Sequence, residues 1–339
     1  MKQFENSEKL QKKETKMRVL LAMSGGVDSS VAAYLLQESG YEVIGATIKT
    51  WKSDACKDER AKGCCSLKDI QDARMVANKL NIPFYVMDLS NDFQDKVIDN
   101  FTKTYLNGST PNPCIRCNND IKFGQFLNKA RELSADYIAT GHYARKIWNE
   151  TQRAWQIQEG VDLSKDQSYV LFGLNQDQLK SVLLPVGDYT KDSIRSIATS
   201  LGLNVSDKPD SQEICFVSSH YSDFLSEQGI PLPQAGPIVN RSGEILGTHD
   251  GYHEFTIGQR KRIDITDATP YYVIDIIPGE NKVVIGKKKD LLKPKMKISD
   301  VNWMIQPSTS KAYAVKIRSR HAKSAARIVG YSSHEANIE

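Results

Sequence analysis

Ser24-Gly25-Gly26-Val27-Asp28-Ser29-Ser30 stands between the short apolar run Arg18–Met23 (RVLLAM) and Ser29–Gln37 (SSVAAYLLQ), whose apolar residues recur at helical spacing up to a stop at Gly40. A strand that ends in a glycine pair and leads straight into a helix presents backbone N–H groups to an anion. The helix start adds partial positive charge. Ser24, Ser29 and Ser30 can offer hydroxyls to phosphate oxygens. Asp28 would repel a phosphate unless it holds Mg2+ or caps the helix. The loop is not a Walker A sequence, because the GK[ST] ending is absent. A bare glycine pair would suit an ordinary strand–helix turn equally well; the full string in this setting points to a nucleotide.

Outward from the loop, strands and helices alternate. Tyr41–Thr47 reads as a strand, Leu67–Leu80 as an amphipathic helix, Pro83–Asp88 as a strand, Asp92–Leu106 and Phe123–Leu133 as helices, and Asp136–Ala139 as a strand. That order predicts an α/β fold with a doubly wound parallel sheet, its ligand beyond the carboxyl ends of the strands. Asn107–Asn119 (NGSTPNPCIRCNN) interrupts the pattern as a loop stiffened by Pro111 and Pro113. A hairpin is expected at Ala154–Gly160, with helical segments at Gln167–Leu174 and Lys191–Leu201. From about Ser211, Pro and Gly crowd the chain. After Thr269 the alternating runs Tyr271–Ile277, Lys282–Ile285, Met296–Val301 and Ala312–Ile317 read as a small β domain. The expected division is a disordered leader over 1–16, a catalytic domain over 17–210, a central domain over 211–270 and a β domain over 271–339.

The 339 residues carry a net charge of +4, unevenly spread: residues 280–339 hold thirteen Lys/Arg against five Asp/Glu, or +8, which leaves −4 on the rest. A basic end on an acidic body suits nucleic acid, or a solvated lysine-rich surface. No apolar run approaches the ~20 residues of a membrane span, so no membrane partner is expected. Met1–Lys16 is polar, carries both signs of charge and includes three glutamates, which fits neither a secretory signal nor a transit peptide. A reducing cytoplasm is then expected for the six cysteines, where catalytic, metal-binding or buried thiols are commoner than disulfides. His220, His249, His253 and His334 are scattered without metal-ligand spacing and read as surface or packed residues.

Two cysteine motifs stand out. Thr110-Pro111-Asn112-Pro113-Cys114-Ile115-Arg116-Cys117-Asn118 contains a Cys-x-x-Cys pair, which suits a metal or cluster half-site, a redox pair, or one catalytic thiol with a bystander. The thiolate is the competent nucleophile, and a neighbouring arginine favours it. In Asp210-Ser211-Gln212-Glu213-Ile214-Cys215-Phe216, the flanking Ile214 and Phe216 favour a buried Cys215, whereas the polar residues before it favour an exposed edge.

SGGVDSS resembles the PP-loop ATP pyrophosphatases, which split ATP between the α and β phosphates and transfer AMP to an oxygen; alone it names no substrate. TPNPCIRCN, IKFGQFL, ADYIATGHYAR, GVDLSKDQSYVL, KPDSQEICF and GYHEFTIGQRK then occur in order, and together they resemble the tRNA-specific 2-thiouridylases, the MnmA family. The likeness runs from about Arg18 to Gly286. It implies an ATP-dependent tRNA-uridine 2-sulfurtransferase acting on the wobble uridine, with a β-barrel-like C-terminal domain that binds tRNA. Ala22, Met23, Ser24, Gly25, Gly26, Val27, Asp28 and Ser29 would bind ATP with its Mg2+, together with Ile48 and Gly141. Asn112, Pro113 and Cys114 would meet the target base. His142, Lys165, Asp166, Gln167, Arg318 and Ser319 would contact tRNA. Cys117 matches the family's nucleophile and Cys215 its persulfide carrier, the two ending as a disulfide. A persulfide sulfur-donor protein is the implied partner.

Cys114 stands where many relatives have Asp, and Ser319 where they often have an aromatic. Cys114, Cys117 and Cys215 could instead hold a [4Fe–4S] cluster that carries the sulfur. Cys56, Cys64 and Cys65 read as ordinary reduced thiols, with a second metal site as the alternative. The family's closing Pro-Gly-Gln turn and final strands have no counterpart before Glu339, so an incomplete β domain is expected. A different PP-loop ligase would need neither Cys117 nor Cys215, and a non-catalytic RNA-binding or metal-sensing protein would have no use for an intact SGGVDSS.

Overall fold

The computed structural model describes residues 16–50, 66–210, 214–217 and 220–339. Its strands include β1 (Arg18–Ala22), β2 (Glu42–Lys49), β3 (Phe84–Asp88), β4 (Tyr137–Ala139), the hairpin β5 (Ala144–Asn149) and β6 (Ala154–Glu159), and β7 (Val182–Leu183). The helices are α1 (Val27–Glu38), α2 (Leu67–Lys79), α3 (residues 90–106), α4 (residues 113–132), α5 (Gln176–Lys180), α6 (Lys191–Ser200) and α7 (Tyr221–Glu227). Five strands form a parallel sheet in the order β3-β2-β1-β4-β7, as the alternation predicts, with β7 as an added edge.

Strand β1 lies at the centre, and its period of two divides the core. Val19 and Leu21 pack on one face with Val31 and Ala32 of α1 and Ile194 of α6. Leu20 packs on the other with Phe123 and Phe126 of α4. All three β1 residues are fully buried, as a strand covered on both faces requires. The chain runs from β1 to β2 and β3 on one side, then returns to place β4 on the other. The carboxyl ends of β1 and β4 therefore flank the switch point where such sheets bind ligands.

Two helices differ from expectation. Helix α4 begins at Pro113, ten residues before the predicted start, with Asn112 as N-cap: its Oδ1 accepts the Ile115 N–H at 3.4 Å. Half of the expected loop is thus helix, because proline at a first helical position costs no hydrogen bond. Both α3 and α4 contain a π-helical stretch, Gln94–Ile98 and Cys117–Gln125. The expected helix at Gln167–Leu174 is only a 3-10 turn, Ser168–Leu171.

The remaining strands are β8 (Gly236–Val239), β9 (Ile245–His249), β10 (Tyr272–Ile277), β11 (Lys282–Gly286), β12 (Met296–Ile298), β13 (Ala312–Val315), β14 (Ser324–Tyr331) and β15 (Ala336–Ile338). They form two open four-stranded sheets, β10-β11-β8-β9 and β12-β15-β14-β13, rather than one closed barrel. The line expected at residue 270 passes between strands of a single sheet, since β11 pairs with both β10 and β8. Among the described residues no helix is long and apolar enough to cross a membrane.

A third core cluster joins α3 to the segment after residue 213. Phe101 is fully buried and meets Phe216 edge to face at 5.1 Å and Tyr105 at 5.0 Å. Phe101→Ala is expected to lower unfolding free energy in urea by about 3–5 kcal/mol, the usual cost of a phenyl-sized cavity. A loss below about 1 kcal/mol would mean that this cluster does not hold the segment.

Candidate active site

The phosphate loop forms where β1 runs out of partners. Met23 N–H still donates to Ala46 O at 2.8 Å, and the buried Thr47 hydroxyl donates to Met23 O at 2.7 Å. The chain then turns at Gly25, whose φ is +70°, and a Cβ there would lie 2.2 Å from the Asp69 carbonyl oxygen. Only glycine fits both conditions. Gly26 precedes α1 and brings no side chain to cap it, which leaves the helix start suited to an anion. The Ser29 and Ser30 hydroxyls donate back to Gly26 O, at 3.2 and 2.8 Å. Each spends its one proton on the loop itself, so these two serines shape the turn and the exposed Ser24 is the outward hydroxyl.

Asp28 neither caps α1 nor faces outward alone. Its oxygens lie 2.7 and 2.9 Å from Lys191 Nζ, and the Tyr143 hydroxyl donates to it at 2.7 Å. Lys191 is buried and also meets Asp210 at 2.6 Å. Asp210 receives Lys165 at 2.7 Å and Arg195 at 3.4 Å. Burial alone would raise the Asp210 pKa, but hydrogen bonds from Lys165 and Lys191 outweigh it and hold the carboxyl below its usual range. Nearby, Lys208 donates to Gly25 O at 2.9 Å and pairs with Asp69 and Asp72 at 2.7 and 2.6 Å. Sequence reasoning missed Lys191, Tyr143, Arg195, Asp69 and Asp72. Lys208 and Asp210 lie inside the KPDSQEICF string, which was the available signal.

Across the switch point, β4 is followed by Thr140-Gly141-His142. A Cβ on Gly141 would lie 2.8 Å from Ser29 N, so glycine lets this turn close against the start of α1. His142 is buried, with Nδ1 2.7 Å from the Thr140 hydroxyl and its ring beside Phe123. Burial first, and the charge of Lys122 second, hold its pKa well below the usual imidazole value. The expected RNA contact is therefore a neutral, inward ring. Asp166 Oδ1 accepts the N–H groups of Gly160 and Ser168 at 3.1 Å each, and Gln167 Oε1 accepts Tyr143 N–H at 3.0 Å. Those oxygens serve the fold, and Lys165 serves Asp210. Arg318 and Ser319 are exposed, and Tyr169 ties their segment to the 3-10 turn by donating to Ile317 O at 3.1 Å.

The cysteines divide. Cys114 is exposed in the first turn of α4. Cys117 and Cys215 are half-buried against the same aromatic cluster of α3, and Ile48 at the end of β2 packs there too. Arg116 pairs with Asp120 at 3.3 Å, which shares out its charge. Among the described residues, no three or more His, Cys, Asp and Glu side chains converge to hold a metal, Cys114, Cys117 and Cys215 included. Cys56, Cys64 and Cys65 lie outside the described residues.

The sequence matches the tRNA methyl transferase HUP domain over residues 17–219 and the tRNA methyl transferase PRC-barrel domain over 222–287. A tRNA-specific 2-thiouridylase from Clostridioides difficile strain 630 is 46% identical over 90% of this chain and 84% of its own length. One from Geotalea uraniireducens is 45% identical over 96% and 88%. The chain belongs to the tRNA-specific 2-thiouridylase family. Among solved structures, a 4-thiouridine synthetase–RNA complex with bound ATP aligns over 62% of this chain and 50% of its own, at 19% identity and a TM-score of 0.38, too distant for residues to be carried across.

Burial that holds the His142 pKa well below the usual value has a pH signature. The unfolded ring takes up a proton below about pH 6.5 while the buried ring does not, so acid favours unfolding until the folded ring titrates. Urea unfolding from about pH 7 to pH 5 is expected to show a shallower pH dependence in His142→Asn, by about 1 kcal/mol per pH unit. An unchanged slope would place the ring in water.

Proposed function

We propose that this chain exchanges the O2 oxygen of a tRNA wobble uridine for sulfur, using ATP and releasing AMP and pyrophosphate. The observation that carries this reading is the shared placement of loop and thiols. Ile48, on the strand next to the phosphate loop, packs against the same cluster as Cys117 and Cys215. The family's methyl-transferase label fits less well. Methyl transfer from a sulfonium donor uses neither a phosphate loop nor two thiols, whereas adenylation and sulfur transfer use both.

In this reading Ala22–Ser29, Ile48 and Gly141 hold ATP. Mg2+ arrives with the triphosphate and is held by it, since the Asp28 oxygens already serve Lys191 and Tyr143. Uridine O2 attacks the α-phosphorus and the bond to pyrophosphate breaks. The base, splayed from a single-stranded loop, meets Asn112-Pro113-Cys114. The terminal sulfur of a Cys215 persulfide attacks C2, and AMP leaves with the oxygen. Cys117 thiolate then attacks the inner sulfur. The S–S pair of electrons goes to the sulfur on C2, and a Cys117–Cys215 disulfide remains for an external dithiol to reduce. If Cys117 attacks first, hydrosulfide is released and adds to C2 with the same balance. A persulfide-bearing protein reloads Cys215. A tRNA substrate and thiols that must be re-reduced suit the cytoplasm.

An iron–sulfur route would recruit Cys114. Among the described residues no three such side chains converge to supply its donor set, and Cys114 is exposed whereas the other two thiols are half-buried. The test is thiouridine formation on unmodified tRNA with ATP, Mg2+ and a persulfide donor, read by mass spectrometry of the digested RNA. Cys117→Ser and Cys215→Ser are expected to fall at least ~1000-fold, as loss of a covalent catalyst does, and Cys114→Ser to stay within about threefold. Wild-type rates in Cys215→Ser would overturn the persulfide step.

A further inference from the structure

Residues 256–262, Thr-Ile-Gly-Gln-Arg-Lys-Arg, have no role in the scheme above, yet three parts of the candidate RNA face meet them. The Thr110 hydroxyl, two residues before Asn112, donates to the Thr256 hydroxyl at 3.2 Å. Arg318 Nη2 donates to Ile257 O at 2.9 Å. Arg262 Nη1 donates to His220 Nε2 at 2.9 Å, and His220 is the N-cap of α7, just past Cys215. One strap thus touches the segment before Cys114, the exposed arginine of the C-terminal sheet and the helix that follows Cys215.

The strap is braced from within. Gly258 N–H donates to Val273 O at 2.8 Å and Val273 N–H to Gln259 O at 2.9 Å, which pins it to β10. The Gln259 side chain accepts Thr256 N–H and donates to Lys261 O, both at 3.0 Å. Arg262 and Asp264 hold φ of +61° and +53°, a conformation rare for residues with side chains and concentrated at functional sites. Arg260 and Lys261 are exposed, and neither is ion-paired among the described residues. The basic C-terminal stretch is less available than its composition suggests. Lys287 is spent on Asp267, Lys295 on Glu339, Lys297 on Glu335, and Lys316 and Lys323 on Glu159.

We propose that residues 256–262 form a phosphate strap, with Arg260 and Lys261 taking backbone phosphates that flank the reacting uridine. A base splayed into a pocket leaves its phosphates outside, and the register of the strand must be held there. This inference rests on the tRNA reading above and adds a binding element to it.

The test is equilibrium binding of tRNA, and of its isolated anticodon stem-loop, across a salt series. The proteins are wild type, the double variant Arg260→Ala/Lys261→Ala, and the charge-keeping Arg260→Lys/Lys261→Arg. Each phosphate contact contributes about 0.7–0.9 to the slope of log K against log salt, so the alanine pair is expected to lower that slope by about 1–2 on both RNAs. The charge-keeping pair is expected to retain it, and ATP affinity and thermal midpoint to match wild type in both. An unchanged slope on tRNA would overturn the strap, as would a loss on whole tRNA with none on the stem-loop. A wild-type chain that binds neither RNA would instead remove the tRNA reading, and the strap with it.

Discussion

A buried lysine between two carboxylates is the constraint on which the site depends. Lys191, from the first turn of α6, holds Asp28 of α1 on one side and Asp210 on the other. Taking an ammonium out of water costs several kcal/mol, and deleting one member of such a set leaves the others unpaired at about 3–5 kcal/mol when fully buried. Here both carboxylates keep some contact with water, so the lower end applies. The arrangement answers a difficulty built into the loop. A carboxylate beside a phosphate site is repulsive unless neutralised, and Lys191 neutralises it from behind while the front of the loop stays open to the nucleotide.

The same constraint reaches the thiols. Asp210 and Lys208 begin the segment that leads to Cys215. Lys208 holds the Gly25 carbonyl of the loop, and Asp210 answers Lys191, Lys165 and Arg195. Beyond the segment, Phe216 is packed against Phe93 and Phe101. The thiol-bearing stretch is therefore tied to the phosphate loop at one end and to the aromatic cluster under Cys117 at the other. One reaction that first activates an oxygen and then delivers sulfur needs both ends held to a common frame.

Much of this was legible in the residues. The strand–loop–helix around Ser24–Ser30 and the strand at Glu42–Lys49 follow apolar spacing closely, because a central parallel strand must be apolar on both faces, whereas the edge strand Phe84–Asp88 is largely exposed. The helix start at Pro113 was legible in principle from Asn112 as a cap, but two prolines read more simply as a stiff loop. Strand β7 is two residues long, and β14 (SAARIVGY) has small residues where alternation would show, so neither carries a period. The partners of Asp28 could not be read at all. Lys191 and Tyr143 reach it only after the sheet has closed, and no local spacing records that. For the same reason no spacing showed that His142 Nδ1 meets the Thr140 hydroxyl, or that Asp166 Oδ1 and Gln167 Oε1 accept the backbone N–H groups of Gly160 and Tyr143.

In the proposed reaction the base oxygen itself is activated and leaves on the nucleotide. Transfer RNA carrying a heavy oxygen isotope at O2 of the wobble uridine, thiolated by this chain with unlabelled ATP, tests it directly through the mass of the released AMP. Heavy AMP is expected in step with thiouridine formed. Unlabelled AMP alongside full thiolation would contradict it, because the oxygen would then have left without passing through an adenylate.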